Sequence, residues 1–231
     1  MVSRTVLVVD VGGSHVKALL AGEQEPRKFE SGPTLTPREM VDGVRTLVAD
    51  WPHDAVSVGI PAPVRAGKAV SEPVNLGRGW VGFDFEGAFG SPTKVVNDAA
   101  MQALGSYEGG RMLFLGLGTG LGSTLILDGV VQPLELGHLP YRKKTFEEYI
   151  GARALERRGK KRWRDDVADV VARLSAALAP DYIVIGGSGV KELDVLPENS
   201  RRGANANAFV GGFRLWDDEW QPQTGGDGRP G

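Results

Sequence analysis

The 231-residue sequence predicts an α/β protein built on a repeated hairpin, and three observations carry that reading. First, Thr5 to Val9 is a largely β-branched run ending in Asp10, and Val11-Gly12-Gly13-Ser14 turns the chain back into Val16 to Leu20. Second, the same plan recurs downstream. Met112 to Leu115 enters a glycine-rich turn, Gly116 to Gly122, and Ser123 to Leu127 leaves it. Third, strands and helical apolar stripes alternate through the rest of the chain, the pattern of mixed α/β folds. No solenoid-length repeat is visible. The repetition lies at the level of the fold, one hairpin in each half.

Thr36-Pro37-Arg38-Glu39 reads as a helix start, with Thr36 as N-cap, Pro37 at the first position and Glu39 closing a capping box. Met40, Val41, Val44, Leu47 and Val48 follow as one apolar stripe. Ala55 to Ile60 reads as a strand broken by Pro61-Ala62-Pro63, and Arg65 to Pro92 as a loop-rich stretch. Lys94 to Val96 is a short strand delivering Asn97-Asp98, and Ala99 to Leu104 continues as helix. After the second hairpin, Asp128-Gly129 makes a two-residue turn into a third strand. Thr145 to Arg157 and Asp165 to Leu178 are helical by composition and spacing. Asp181 to Ile185 is a buried strand ending in Gly186-Gly187, and Ala204 to Phe213 a last short helix. Asp217 to Gly231 has the composition of a disordered tail.

Composition narrows the function. A net charge of -2 gives no basic excess that would point to nucleic acid as the main partner. The absence of cysteine excludes disulfides and thiolate metal sites. Neither a signal-peptide pattern nor an apolar run of membrane-spanning length is present, so the expectation is a cytoplasmic protein without a membrane partner. Thirty-three glycines, many in turns beside polar residues, suit loops that approach a ligand closely.

Two glycine-turned hairpins would make a phosphate clamp, their backbone N–H groups closing on an anion and Thr119 adding a hydroxyl. Asp10, at the end of the first strand, is either a strand-end cap or a carboxylate that holds Mg²⁺ directly or through water. Asn97-Asp98, where a strand ends and a helix begins, is either a plain cap or a general base with a neighbour that holds a substrate hydroxyl. Glu135 and His138, three residues apart, are either surface residues or a grip on adjacent sugar hydroxyls. His15 and His53 read as structural or solvent-exposed.

Taken in order, eight segments form a recognisable set. They are Asp10-Val-Gly-Gly-Ser-His-Val-Lys17, Gly59-Ile-Pro-Ala-Pro-Val64, Asn75-Leu-Gly-Arg-Gly-Trp80 and Val96-Asn-Asp-Ala99. Gly118-Thr-Gly-Leu-Gly122, Glu135-Leu-Gly-His138, Glu147-Glu-Tyr149 and Ile185-Gly-Gly187 complete it. The order resembles the ROK family of sugar kinases, most of all its polyphosphate glucokinase branch, over residues 5 to 216.

The resemblance implies a hexokinase/actin-type fold, two ribonuclease-H-like α/β domains with an active-site cleft between them. The small domain would be residues 1–97 joined by the helix 204–216, the large domain 98–203, and 217–231 the tail. It implies Asp98 as catalytic base, with Asn75, Asn97, Glu135, His138 and Glu147 on the hexose. Asp10, Gly12, Gly13, Ser14, Lys17, Gly118, Thr119, Gly120 and Gly187 would face the phosphate donor, polyphosphate or ATP, with Mg²⁺ at Asp10. A homodimer acting on glucose or a related hexose is the family expectation. The sequence departs from the family in three places. Leu139-Pro-Tyr-Arg-Lys-Lys144 replaces a Cys-rich zinc loop, so no zinc is expected. Ala62 stands where the family turn has glycine. Only Val190 to Arg202 separates the Gly186-Gly187 pair from the last helix, a wrap suited to a donor without a base, in which Lys191, Arg201 and Arg202 are either a solvated charged face or available to a polyanion.

Overall fold

In the computed structural model, which describes residues 4–204 and 206–217, both expected hairpins form and each opens a five-stranded sheet. The chain divides into two units: one runs to Met101 and resumes at Gly211, the other is Gln102–Val210.

The first unit runs β1 (Val6–Val11), β2 (His15–Leu20), β3 (Arg27–Glu30), α1 (Pro37–Leu47) and β4 (Ala55–Ile60). It continues through the two-residue strands β5 (Val64–Arg65) and β6 (Lys68–Ala69), then α2 (Phe85–Phe89), β7 (Thr93–Asn97) and the start of α3 (Asp98–Ser106). Its sheet has the order β3-β2-β1-β4-β7, antiparallel on the hairpin side and parallel from β1 to β7. The second unit carries β8 (Arg111–Leu117), β9 (Leu121–Leu127), β10 (Val130–Leu134), β11 (Pro140–Tyr141) and β12 (Lys144–Thr145). Helices α4 (Phe146–Ile150), α5 (Ala152–Arg158) and α6 (Lys160–Leu178) follow, then β13 (Tyr182–Gly186), β14 (Ser200–Arg202) and α7 (Asn207–Arg214), which runs on past Gly211. Its sheet order, β10-β9-β8-β13-β14, repeats the first strand for strand and direction for direction. The duplication expected from the glycine-turned hairpins is thus a duplication of the whole sheet.

Each sheet is covered by helices whose stripes were legible in the sequence. The α1 cap forms as expected, Glu39 N–H donating to Thr36 Oγ1 and Thr36 N–H to Glu39 Oε2. Met40, Val41, Val44 and Val48 then bury against Leu7, Val9, Val56 and Val58. At about 1.5–3 kcal/mol per buried aliphatic side chain, this layer outweighs any local propensity. In the second unit Trp163, Val167, Val170, Val171 and Leu174 of α6 pack on Leu113, Leu115, Ile183 and Ile185. After Gly211 the chain returns to the first sheet. Ser57 Oγ donates to the Gly212 carbonyl at 2.6 Å, Trp216 Nε1 donates to Ser57 Oγ at 2.9 Å, and Lys94 Nζ donates to the Leu215 carbonyl at 2.6 Å.

Four local expectations are corrected. The second glycine-rich turn is not Gly116 to Gly122 but only Gly118 to Gly120, since Gly116 and Gly122 pair with each other inside β8 and β9. The expected helix from Thr145 to Arg157 is broken at Gly151 into α4 and α5, because Gly151 adopts extended backbone and its amide closes α4 on the Glu147 carbonyl. The stretch from Arg65 to Pro92 holds α2, capped by Asp84. The last helix begins at Asn207 rather than Ala204. Past Asp217 the expected tail lies outside the described residues.

Candidate active site

The first turn is strapped from below. Gly12 N–H donates to the His15 carbonyl at 2.9 Å, and Ser31 Oγ donates to the Gly12 carbonyl at 2.6 Å. Asp10 sits one residue short of the end of β1, cross-strand from Lys17 on β2 and beside Gly59 on β4. Burial pushes its carboxyl above the ordinary range, and Lys17 pulls it part of the way back. Asn75 reaches the same turn: a Cβ on Gly13 would lie 3.5 Å from the Asn75 Cβ. The Asn75 loop is held by Glu72, whose carboxylate accepts from the amides of Gly79 at 3.1 Å and Trp80 at 3.0 Å. Asp10, Gly12, Gly13, Ser14, Lys17 and Asn75 therefore form one neighbourhood.

Asn97 and Asp98 stand at the β7–α3 junction of the same unit. Asn97 is the cap: its Oδ1 accepts from the amides of Ala99 at 3.0 Å and Ala100 at 3.2 Å, while its Nδ2 donates to the Ala62 carbonyl at 3.2 Å. Asp98 Oδ1 accepts from the Ala99 amide at 2.8 Å. Of the roles left open by the sequence, capping falls chiefly to Asn97. Ala62 is buried and keeps negative φ, so the side chain in place of glycine causes no backbone strain there.

In the second unit the Gly118–Gly120 turn, Glu135, His138 and Glu147 come together. Gly118 N–H donates to the Gly120 carbonyl at 3.2 Å, and the Gly118 carbonyl accepts from the Ala152 amide at 2.9 Å, which ties the turn to the start of α5. Glu135 precedes a 3₁₀ turn, Leu136–His138. His138 Nε2 lies 3.9 Å from Glu147 Oε1. The other Glu147 oxygen rests over the turn, where a Cβ on Gly120 would meet it at 2.6 Å, so a side chain there would displace the Glu147 carboxylate. Glu148, not Glu147, caps α4, its Oε2 accepting from Thr145 N–H at 3.1 Å. Partial burial raises the Glu135 carboxyl, His138 lowers it, and Glu147 raises it again. Gly187 has φ of +81° and its missing Cβ would strike the Leu117 carbonyl, so β8 and the turn after β13 are in backbone contact. Thr119 and Gly120 thus share a neighbourhood with Glu147, and Gly118 with Gly187 through Leu117.

The sequence reading missed what holds this cluster. Leu139 to Lys144 folds as the β11–β12 hairpin, with Arg142 at φ of +53° in its turn. Arg142 Nη1 lies 2.6 Å from Asp166 Oδ1, Arg158 Nε lies 2.7 Å from Asp166 Oδ2, and Tyr141 donates its hydroxyl proton to Asp169 at 2.5 Å. Asp166 is 2% exposed and sits in the apolar stripe of α6. Burial and the Asp169 carboxylate push the Tyr141 hydroxyl up to about 12. Rings complete the brace, Tyr141 packing edge-on against Tyr149 with centroids 5.0 Å apart. The hairpin joins His138 to Glu147, so this cluster fixes both ends of the candidate site. An acid between Trp163 and Val167 on an apolar face was the signal available in the sequence, since a buried carboxylate requires cations.

Two further expectations concern the chain after Gly187. Arg201 Nη2 donates to the Ser106 carbonyl at 2.8 Å and its Nη1 lies 2.9 Å from Glu108. Arg202 donates to the carbonyls of Val190 and Leu193. Both arginines hold the short segment in place, which corrects the expectation that they are available to a polyanion. Lys191 instead lines a hollow of about 210 Å³, together with Gly118, Ala152, Leu155, Trp163 and Ser188. Among the described residues no group of three or more His, Cys, Asp or Glu is placed to hold a metal ion, and no helix is long and apolar enough to cross a membrane.

The chain is similar in sequence and fold to several known proteins. The polyphosphate glucokinase of Mycobacterium tuberculosis is 26% identical over 211 residues, covering 80% of this chain and 78% of that one. The inorganic polyphosphate/ATP-glucomannokinase of Arthrobacter sp. strain KM superposes with a TM-score of 0.79 at 24% identity, over 91% of this chain and 97% of that one. A ROK family glucokinase of Streptomyces griseus, solved in complex with glucose and AMPPNP, gives a TM-score of 0.71 at 18% identity, over 92% and 99%. The repeated sheet is that of the two-domain actin/hexokinase-like ATPase fold. The model of the ROK family matches residues 6–161, and the chain belongs to that family.

Proposed function

We propose that the protein is a hexose kinase that transfers a phosphoryl group from inorganic polyphosphate to the 6-hydroxyl of glucose. The observation that carries the reading is the division of labour at the β7–α3 junction. Asn97 caps the helix, so Asp98 is not required as its cap. In this reading Asp98 accepts the proton of the attacking hydroxyl, while Asn75, Asn97, Glu135, His138 and Glu147 orient the sugar. Charge on the transferred group is stabilised by amides of the two turns and by Lys17. The amides of Gly12 and Gly118 close their own turns, so in this reading the donor contacts fall to Gly13, Ser14, Thr119 and Gly120. Gly187 supports the turn by backbone contact with Leu117.

Asp10 fits Mg²⁺ as a single carboxylate that shares the ion with substrate phosphates. Burial raises its carboxyl and Lys17 lowers it, so a bound cation would act in the same direction as Lys17 and favour the carboxylate. Bound there, the ion would screen phosphate charge; Asp10 itself holds it in place.

Polyphosphate as donor is supported by the relatives described above and by the short segment after Gly187. A second reading, ATP as donor, is favoured by the hollow beside Gly118, whose walls include Leu155 and Trp163. Glucose 6-phosphate formation with each donor, at equal phosphate concentration with Mg²⁺, separates them. Turnover with polyphosphate is the expected result; turnover with ATP alone overturns the donor assignment and keeps the kinase, and silence with both overturns the kinase.

The Glu135 carboxyl supplies a pH test. Its ionised form accepts the sugar hydroxyl, so binding needs the pH to lie above a pKa raised from the ordinary carboxylate value. KM for glucose should therefore rise as the pH falls through that value, and Glu135→Gln should give a higher KM that no longer responds to acid. The linkage runs the other way for stability. The folded protein binds this proton more tightly than the unfolded chain, so the group favours folding at acid pH and opposes it as the pH rises through its raised pKa.

A further inference from the structure

Leu7, Val9, Val56 and Val58 face α1, so alternation along the strands turns Val8, Asp10, Ser57 and Gly59 to the opposite face of the first sheet. The returning chain covers part of that face: Ser57 donates to the Gly212 carbonyl, and a Cβ on Gly212 would strike the Val8 side chain. Asp10 and Gly59 lie further along the same two strands, as direct partners in the parallel β1–β4 register. Beside Asp10 the row of side chains therefore has a gap, at Gly59.

Met101 fills it. A Cβ on Gly59 would lie 2.4 Å from the Met101 Cε, 3.1 Å from its Sδ and 3.5 Å from the Asp98 Cα. The last is an ordinary contact distance, so the backbone of α3 rests directly on β4 at Asp98. Met101 stands three residues after Asp98, on the same side of the helix, and is 0% exposed. Neighbouring strands run about 4.8 Å apart, which puts the thioether one strand's width from the Asp10 backbone. All four residues belong to the first unit.

The Asn97 cap fixes where α3 begins. How closely its first turn approaches β4 is a matter of packing, and the Gly59–Met101 contact is the packing beneath Asp98. Methionine suits the place because an unbranched chain with a terminal methyl can lie along a strand that offers no side chain. A methyl added to Gly59 has no free room. The Met101 tip is flexible, but without exposed surface it can be pushed only into packed neighbours, or lift the start of α3.

We propose that Gly59 and Met101 are a matched positioning pair for Asp98, the missing side chain of one and the thioether of the other setting how deeply the base sits against β4 beside Asp10. Met101 is a positioning residue and, being fully buried, touches no substrate. This inference rests on the kinase reading and deepens it, since it names what holds the base at its working height. A displacement of about 1 Å at a reacting group can cost about a hundredfold in rate, so a contact of this kind matters to turnover.

The test is a set of full-length variants: Gly59→Ala, Met101→Leu, both together, and Gly59→Ala in an Asp98→Asn background. Glucose 6-phosphate formation is measured with whichever donor the wild type uses, and thermal melts accompany the kinetics. Gly59→Ala should lower kcat roughly tenfold to a hundredfold and leave KM for glucose within about threefold. Met101→Leu, of similar volume but without the terminal atom, should lower kcat by a smaller factor, about threefold to tenfold, with little change in melting temperature. In the double variant the alanine methyl takes the place of the lost methionine methyl, so kcat should recover about tenfold over Gly59→Ala alone. With Asp98→Asn present, Gly59→Ala should cost nothing further, because the base it displaces is already gone. A merely structural pair would lower the melting temperature with kcat intact, and would overturn the proposal. So would losses in kcat that multiply in the double variant, or a further loss in the Asp98→Asn background. If Gly59→Ala does not fold, Met101→Leu decides alone, and a wild-type kcat for it overturns the pairing. A wild type silent toward glucose with both donors, or Asp98→Asn turning over within threefold of wild type, would instead overturn the kinase reading itself.

Discussion

Asp98→Asn is expected to lower kcat by about 10²–10⁴-fold while leaving KM for glucose within a few-fold of wild type. The substitution keeps the side chain's shape and its ability to accept from the Ala99 amide, and removes its capacity to take a proton. Because Asn97 supplies the cap, the α3 start survives and the melting temperature should not move. Asn97→Ala is the informative contrast. It deletes the cap and the donor to Ala62, costs about 1 kcal/mol of stability, and should raise KM more than it lowers kcat. Steady-state kinetics of the two variants, beside their thermal melts, check the assignment. A kcat for Asp98→Asn within threefold of wild type would remove Asp98 from the chemistry.

The second large effect lies in the brace beneath Glu135, His138 and Glu147. Replacing both Arg142 and Arg158 with Met leaves the Asp166 carboxylate buried without a cation, and should destabilise the protein by about 3–5 kcal/mol in urea unfolding. Adding Asp166→Leu removes the stranded charge, and should restore most of that stability, since buried ion clusters are often replaceable by apolar groups of similar size. Glucose KM should not recover with it, because the hairpin between His138 and Glu147 is then no longer tied to α6 by directional contacts. Recovery of stability and KM together would show that the ion cluster does no more than fill space.

Where the sequence reading succeeded, periodicity and capping chemistry had one interpretation. The α1 box, the Asp128-Gly129 turn and the strand before Asn97 all formed as expected. The duplicated hairpin was legible because β-branched runs flank glycines in both copies. Its second turn was drawn too wide because glycine is uncommon within strands. Gly116 and Gly186 stand there as neighbours across β8 and β13 because the Phe114 ring occupies the space a Cβ would need. Five-residue α2 is too short to show a period. At the candidate site, the residues of the recurring motifs were readable, but the brace was not. Arg142 and Arg158 meet Asp166 from 24 and 8 residues away, and pairing at such separations leaves no local pattern.

The return of the chain after Gly211 has a consequence for biogenesis. Ser57 reaches the Gly212 carbonyl across 155 residues of sequence, and Trp216 closes over the same hydroxyl at a separation of 159. The first sheet is therefore translated early and completed last. On the ribosome the second unit can mature while one face of the first still waits for its final helix, a window in which Val8 and its neighbours remain exposed to chaperones.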